Sequence, residues 1–200
     1  MLRNILGLVR SESELVDCRV PVGLLIAKCR LYPNGISGHL PWSDSVANFS
    51  SNMSRITMLR DPRDVIVSWF HYVDMEARRH PFARFSKINY KDYEGDERMG
   101  LIIENICPLF DGYLPWLDED ITVLRYEDVL DKPEEALAPV AEAVDISLDV
   151  LVERSKFRGG KTFRKGVAGE WRHEFSGDHL RRFNQLYRHI MEAWGYGRDT

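Results

Sequence analysis

The chain has 200 residues, 44% of them hydrophobic, enough to bury a sizeable core and consistent with a single domain over residues 1–200. With 27 Lys+Arg against 31 Asp+Glu the formal net charge is -4, so nothing global draws the chain onto nucleic acid, and any anion site must be local. Three cysteines, Cys18, Cys29 and Cys107, are an odd number without a Cys-x-x-Cys pair, which fits reduced thiols in a cytoplasmic protein better than a disulfide framework or a zinc module.

Met1 to Arg10 reads as an amphipathic helix from its first residue, with Leu2, Ile5, Leu6 and Val9 at helical spacing and no visible cap. It lacks the basic start, apolar stretch and cleavage site of a signal peptide. The longest apolar run, Val20 to Ala27, is interrupted by Pro21 and Gly23 and falls well short of the roughly 18 residues of a membrane span. Next comes His39, in Gly38-His39-Leu40-Pro41. A lone histidine is more often structural than catalytic, and spacing alone does not separate the two.

Arg55 to Leu59 is a short apolar, β-branched run that stops at Arg60-Asp61-Pro62-Arg63-Asp64. Val65, Ile66, Trp69, Phe70 and Val73 then resume at helical spacing, which predicts strand, turn and helix. Two guanidinium groups beside a helix N-terminus, with Ser68 one turn beyond Asp64, suit an anion. An N-cap at Asp64 and a surface salt bridge at Arg60 explain the same residues. Met99 to Leu109 also reads as helix. Ile121 to Leu124 repeats the strand pattern, running into Arg125-Tyr126-Glu127-Asp128 and then a helix opening at Pro133. Two short apolar strands, each followed by a helix, predict an α/β fold whose ligands sit at the carboxyl ends of parallel strands.

Arg154 to Lys165 holds six basic residues and no acidic one, whereas Asp118 to Glu135 holds eight acidic residues. Gly159, Gly160 and Gly166 would let backbone approach a ligand, and Arg164 with Lys165 offers a fork and a point charge for phosphate. A solvated basic loop is the alternative. Ser176 or Asp178 is expected to cap one final helix whose buried face runs through Leu180, Phe183, Leu186, Ile190 and Trp194.

Taken in order, these segments resemble the cytosolic-type sulfotransferases, which move a sulfuryl group from 3'-phosphoadenosine 5'-phosphosulfate (PAPS) to an acceptor hydroxyl or amine. His39-Leu40-Pro41 resembles the family's His-Leu-Pro, which implies that His39 is the general base. Arg60-Asp61-Pro62-Arg63-Asp64 with Val67-Ser68-Trp69-Phe70-His71 is similar to the element whose arginine and serine hold the donor's 3'-phosphate, implying that role for Arg60 and Ser68. Tyr126-Glu127-Asp128 is similar to the Tyr-Glu-Asp whose tyrosine sits by the adenine, and Phe157 matches the adenine-side aromatic. Phe163-Arg164-Lys165-Gly166 with Gly169-Glu170-Trp171 resembles the closing segment. That likeness implies that Arg164 and the Gly166 backbone hold the 3'-phosphate with Lys165 beside them, and that Phe163 is a further cofactor-binding residue.

The resemblance covers roughly residues 36 to 176 and implies a three-layer parallel sheet with flanking helices. It implies PAPS as co-substrate, a small-molecule acceptor, and no metal, nucleic acid or membrane span. No segment resembles the family's Pro-Lys-Ser-Gly-Thr-Thr-Trp loop for the 5'-phosphosulfate, so a partial domain lacking the first strand is expected. An upstream coding segment is the favoured explanation, and a shortened, catalytically inactive nucleotide-binding or protein-interaction remnant the other. A nucleotide kinase relative would need Gly-x-x-x-x-Gly-Lys-Ser/Thr, which is absent. Trp42, Phe70, Tyr72, His80, Phe82 and Phe85 are candidates for the acceptor pocket or for the core, and do not identify the acceptor.

Overall fold

The computed structural model describes residues 14–16, 36–38, 40–76, 88–156 and 165–197. These fall into two compact units, one drawn from residues 1–59 and 115–159, the other from 60–114 and 160–200. The expected helix at Met1 to Arg10 lies outside the described residues.

In the first unit, β1 (Glu14–Val16) pairs in parallel with β2 (Ile36–Gly38), and β3 (Ile56–Leu59) pairs in parallel with β4 (Thr122–Arg125). The register of the second pair sets Ile56 opposite Thr122 and Leu59 opposite Arg125. A parallel pair requires a long crossover, so strands about sixty residues apart in sequence suit this geometry. Between β2 and β3, α1 (Asp44–Ser50) starts where the Ser43 hydroxyl accepts the Val46 amide at 3.4 Å.

After β4 the chain enters α4 (Tyr126–Asp131), α5 (Pro133–Val144) and α6 (Leu148–Ser155). Pro133 is the first residue of α5, where its missing N–H costs nothing. Asp145 ends that helix in the left-handed region at φ 52°, a conformation aspartate tolerates better than most residues. The aliphatic core joins Leu124 of β4, Val129, Leu137 and Val140, and Leu151 and Val152 of α6; Ile56 and Met58 pack against it.

The second unit holds α2 (Pro62–Glu76), α3 (Gly95–Asp111), α7 (Trp171–Glu174), α8 (Gly177–Leu186) and α9 (Arg188–Ala193). Its core is aromatic. Phe183 and Tyr187 stack 4.4 Å apart, and Phe110 meets Tyr187 and Trp194 edge-on at 5.7 and 5.3 Å. Ser176 caps α8 through a capping box. Its hydroxyl accepts the His179 amide, its own amide donates to His179 Nδ1, and His179 Nε2 is left to donate to the Asp96 carbonyl at 3.1 Å.

The final helix expected from the sequence is two helices. At Tyr187 the backbone (φ -106°, ψ 7°) leaves helical geometry. There the fully buried phenol donates to the Ile103 carbonyl at 2.7 Å. Satisfying a buried hydroxyl and stacking its ring fix this residue at the expense of helix continuity. The α/β class, the strand pair β3–β4 and the helices after each strand agree with the sequence reading.

Leu137 is fully buried while Val123 on β4 is 41% exposed. Leu137→Ala is expected to cost about 2–5 kcal/mol in denaturant unfolding, and Val123→Ala well under that. Equal midpoints for the two variants would contradict the assigned core.

Candidate functional site

The second unit contains the turn before α2 and the segment 165–171. Asp61 takes the N-cap position: its Oδ1 accepts the Arg63 amide at 2.9 Å, and Pro62 follows as the first helical residue. The Arg63 guanidinium returns to the same carboxylate, with Nη2 2.7 Å from Oδ2, and lies 3.9 Å over the Trp171 ring. Both Arg63 and Asp61 are buried. Of the two guanidinium groups expected at the helix start, Arg63 is therefore structural, held by a carboxylate and an indole.

Asp64 is not the cap. It is 1% exposed, and its two oxygens accept the backbone amides of Gly169 (2.7 Å) and Trp171 (3.0 Å). The Arg60 guanidinium lies 3.8 Å from the same carboxylate, and its Nη2 donates to the Val167 carbonyl at 3.0 Å. The Lys165 ammonium donates to the buried Glu170 at 2.7 Å, and His71 meets Glu174 at 3.2 Å. The segment from Lys165 to Glu174 is thus a strap tied to α2 through Asp64 at its middle and His71 at its end.

Glycine is required in this strap. Gly169 sits at φ 79°, where a Cβ would also stand 2.7 Å from Arg172 Nη1. Gly166, at φ 66°, turns the chain just before the Val167 carbonyl that Arg60 holds. Ser68 lies half-buried one turn beyond Asp64 on α2. Arg60, Asp64 and Ser68 recur every four residues, so they share one side of the helix start.

In the first unit, Tyr126 is buried and opens α4 directly where β4 ends, at the carboxyl end of a parallel strand. Gly38 on one side of residue 39 is paired with Val16 in the parallel strands. On the other side the Leu40 carbonyl accepts the Trp116 indole N–H at 2.8 Å, and the Trp42 indole N–H donates to Glu119 at 3.0 Å. Trp42, a candidate for the acceptor pocket, thus spends its polar edge on a structural tie. Hydrogen bonds from Trp42 and Arg55 hold the Glu119 carboxyl below its ordinary value. A depressed carboxylate contributes stability above the unfolded value, and that contribution is lost as pH falls through the lowered one.

Arg60, Ser68, Lys165 and Gly166 are brought into the second unit, and Tyr126 into the first. His39, Phe157, Phe163 and Arg164 lie outside the described residues. Asp64 and Glu170 are the residues that sequence reasoning missed as ties. Asp64 reads locally as a cap because its partners stand 105 and 107 residues away.

The family model described as "Sulfotransferase domain" matches residues 28–161. Sulfotransferase 6B1 of Danio rerio is 23% identical over 178 residues, covering 78% of this chain and 58% of that protein. Sulfotransferase 2B1 of Homo sapiens is 27% identical over 204 residues, covering 88% of this chain and 55% of that protein. The chain thus spans a little over half the length of these two relatives. Among solved structures, a mouse sulfotransferase complexed with PAP superposes with a TM-score of 0.66 at 15% identity, over 98% of this chain and 84% of that one. Retinol dehydratase in complex with androsterone and inactive cofactor PAP gives 0.62 at 20% identity, over 85% and 56%. These likenesses establish the fold, α/β with a parallel sheet and flanking helices.

Asp64→Asn keeps the shape but turns one acceptor into a donor facing a backbone N–H, at a cost of about 1–3 kcal/mol. The expected outcome is loss of hydrogen-exchange protection at the Gly169 and Trp171 amides with the amides of α8 unchanged. Unaltered protection at residues 169 and 171 would show that the strap is held otherwise.

Proposed function

The chain belongs to the sulfotransferase domain family, and from that premise we propose that it is one domain of an enzyme transferring a sulfuryl group from PAPS to a hydroxyl or amine of a small molecule. The observation that carries the reading is the arrangement at the start of α2. Arg60 is held by Asp64 and by the Val167 carbonyl, with Ser68 further along the same helix and Gly166 beside the strap.

These residues suit the 3'-phosphate of such a nucleotide. Arg60 keeps part of its guanidinium in solvent, with a side chain 23% exposed. A guanidinium gives charge-assisted hydrogen bonds to phosphate, the Ser68 hydroxyl adds a donor, and a glycine at 166 lets backbone come close. By the family resemblance, Arg164 adds a second fork with Lys165 beside it, Tyr126 and Phe157 are the adenine-side aromatics, and Phe163 belongs to the nucleotide-binding residues.

PAPS supplies the sulfuryl group and a phosphate leaving group. His39 takes the acceptor's proton as the acceptor oxygen or nitrogen bonds to sulfur and the sulfur–phosphate-oxygen bond breaks. Such transfer resembles phosphoryl transfer, in which positioning and electrostatics do most of the work. No helix among the described residues is long and apolar enough to cross a membrane. The half-buried free thiol Cys107 fits a reducing cytoplasm.

The reading predicts that 3'-phosphoadenosine 5'-phosphate (PAP) raises the unfolding temperature of the chain, whereas adenosine 5'-phosphate, lacking the 3'-phosphate, does so far less. Arg60→Ala should weaken PAP by about 10- to 100-fold, the value of one or two charge-assisted hydrogen bonds. In an active form of the protein, His39→Ala should abolish turnover and leave PAP binding intact. Equal stabilisation by both nucleotides, or full turnover without His39, would contradict the proposal.

A further inference from the structure

The second unit also carries a cluster of metal-ligating side chains that sulfuryl transfer does not use. On α3, Cys107 and Asp111 are four residues apart and so share one face, and His189 stands in the first turn of α9. The Cys107 sulfur, an Asp111 carboxylate oxygen and a His189 ring nitrogen all lie within 4.8 Å of one another. His189 Nε2 is 2.6 Å from Asp111 Oδ1, and the thiol makes a long 3.5 Å contact to the Leu186 carbonyl.

The backbone under these side chains is fixed from both helices. Tyr187, two residues before His189, is fully buried and donates to the carbonyl of Ile103, one turn before Cys107. Phe110, next to Asp111, packs edge-on against Tyr187 and Trp194. The three donors therefore stand on rigid elements locked to each other by a buried hydrogen bond and an aromatic stack, the condition for a preorganised site.

We propose that Cys107, Asp111 and His189 form a binding site for a divalent cation of the zinc class. Thiolate, imidazole and carboxylate are donors that zinc takes, whereas magnesium prefers oxygen alone. A thiolate and a carboxylate bring two negative charges to match the cation, and neutral imidazole completes three ligands. Tetrahedral zinc with bonds of about 2.0–2.3 Å holds its ligand atoms roughly 3.3–3.7 Å apart. The His189–Asp111 separation is 2.6 Å and every pair of ligand atoms lies within 4.8 Å, so the three are already close to that spacing.

The His189 and Asp111 side chains are 53% and 46% exposed, so the fourth position opens to water. On binding, the sulfur–metal bond replaces the S–H bond and the proton passes to buffer. The other grouping of this kind among the described residues, His71 with Glu170 and Glu174, belongs to the strap beside the candidate site already described.

The test is titration of the metal-free 200-residue chain with Co2+, read by the thiolate-to-cobalt charge-transfer absorption in the near ultraviolet, followed by displacement with Zn2+ or with excess Mg2+. The site predicts one cobalt per chain and a band bleached by zinc but not by magnesium. Cys107→Ser should abolish the band, and His189→Gln, at an exposed position, should weaken cobalt binding by at least about tenfold. The double variant Cys18→Ser/Cys29→Ser should retain the band. Absence of the band in the folded chain, its persistence in Cys107→Ser, or its loss in the Cys18/Cys29 variant would overturn the assignment.

Discussion

A carboxylate removed from water must find its donors within the protein, and at Asp64 those donors are two backbone amides, with the Arg60 guanidinium 3.8 Å away as counter-charge. The consequences run through the second unit. Because Gly169 and Trp171 must bring their amides to one carboxylate, the strap passes over the start of α2. Because it passes there, the Val167 carbonyl receives Arg60 and the Trp171 indole lies against Arg63. Arg63 is spoken for by Asp61, and Arg60 is left as the guanidinium turned partly to solvent. Two buried carboxylates, Asp61 and Asp64, thus hold two neighbouring arginines differently, Arg63 buried and Arg60 partly exposed.

The two units reach stability by different chemistry. The first rests on parallel backbone pairing and an aliphatic cluster around Leu124, Leu137 and Leu151, where burial is the main contribution. The second rests on stacked and edge-on rings with buried polar groups satisfied pairwise, from Tyr187 with Ile103 to Asp61 with Arg63. Directional contacts of this kind fix side-chain geometry more tightly than aliphatic packing does. Positioning is what phosphate recognition needs, and what the cluster at Cys107, Asp111 and His189 needs as well.

The fold was legible where local rules decide the outcome. Ile56–Leu59 and Thr122–Arg125 are short apolar, β-branched runs ended by polar residues, and Pro133 and Ser176 are local signals that open helices. The candidate site residues Arg60, Ser68, Tyr126 and Gly166 came from ordered motifs, each read from its sequence neighbours. What escaped depends on partners far along the chain. The break at Tyr187 is fixed by a carbonyl 84 residues away, and Asp64 looks like an N-cap until Gly169 and Trp171 are beside it. The same holds for Arg63, which no local rule separates from Arg60.

The most direct measurement is a calorimetric titration of PAP into the chain and into Asp64→Asn, each checked for native helix content. The account predicts saturable one-to-one binding by the unaltered chain and binding at least about tenfold weaker in the variant, since Arg60 and the strap would lose their common anchor. No saturable binding by the folded chain, or equal affinity in the two proteins, would contradict it.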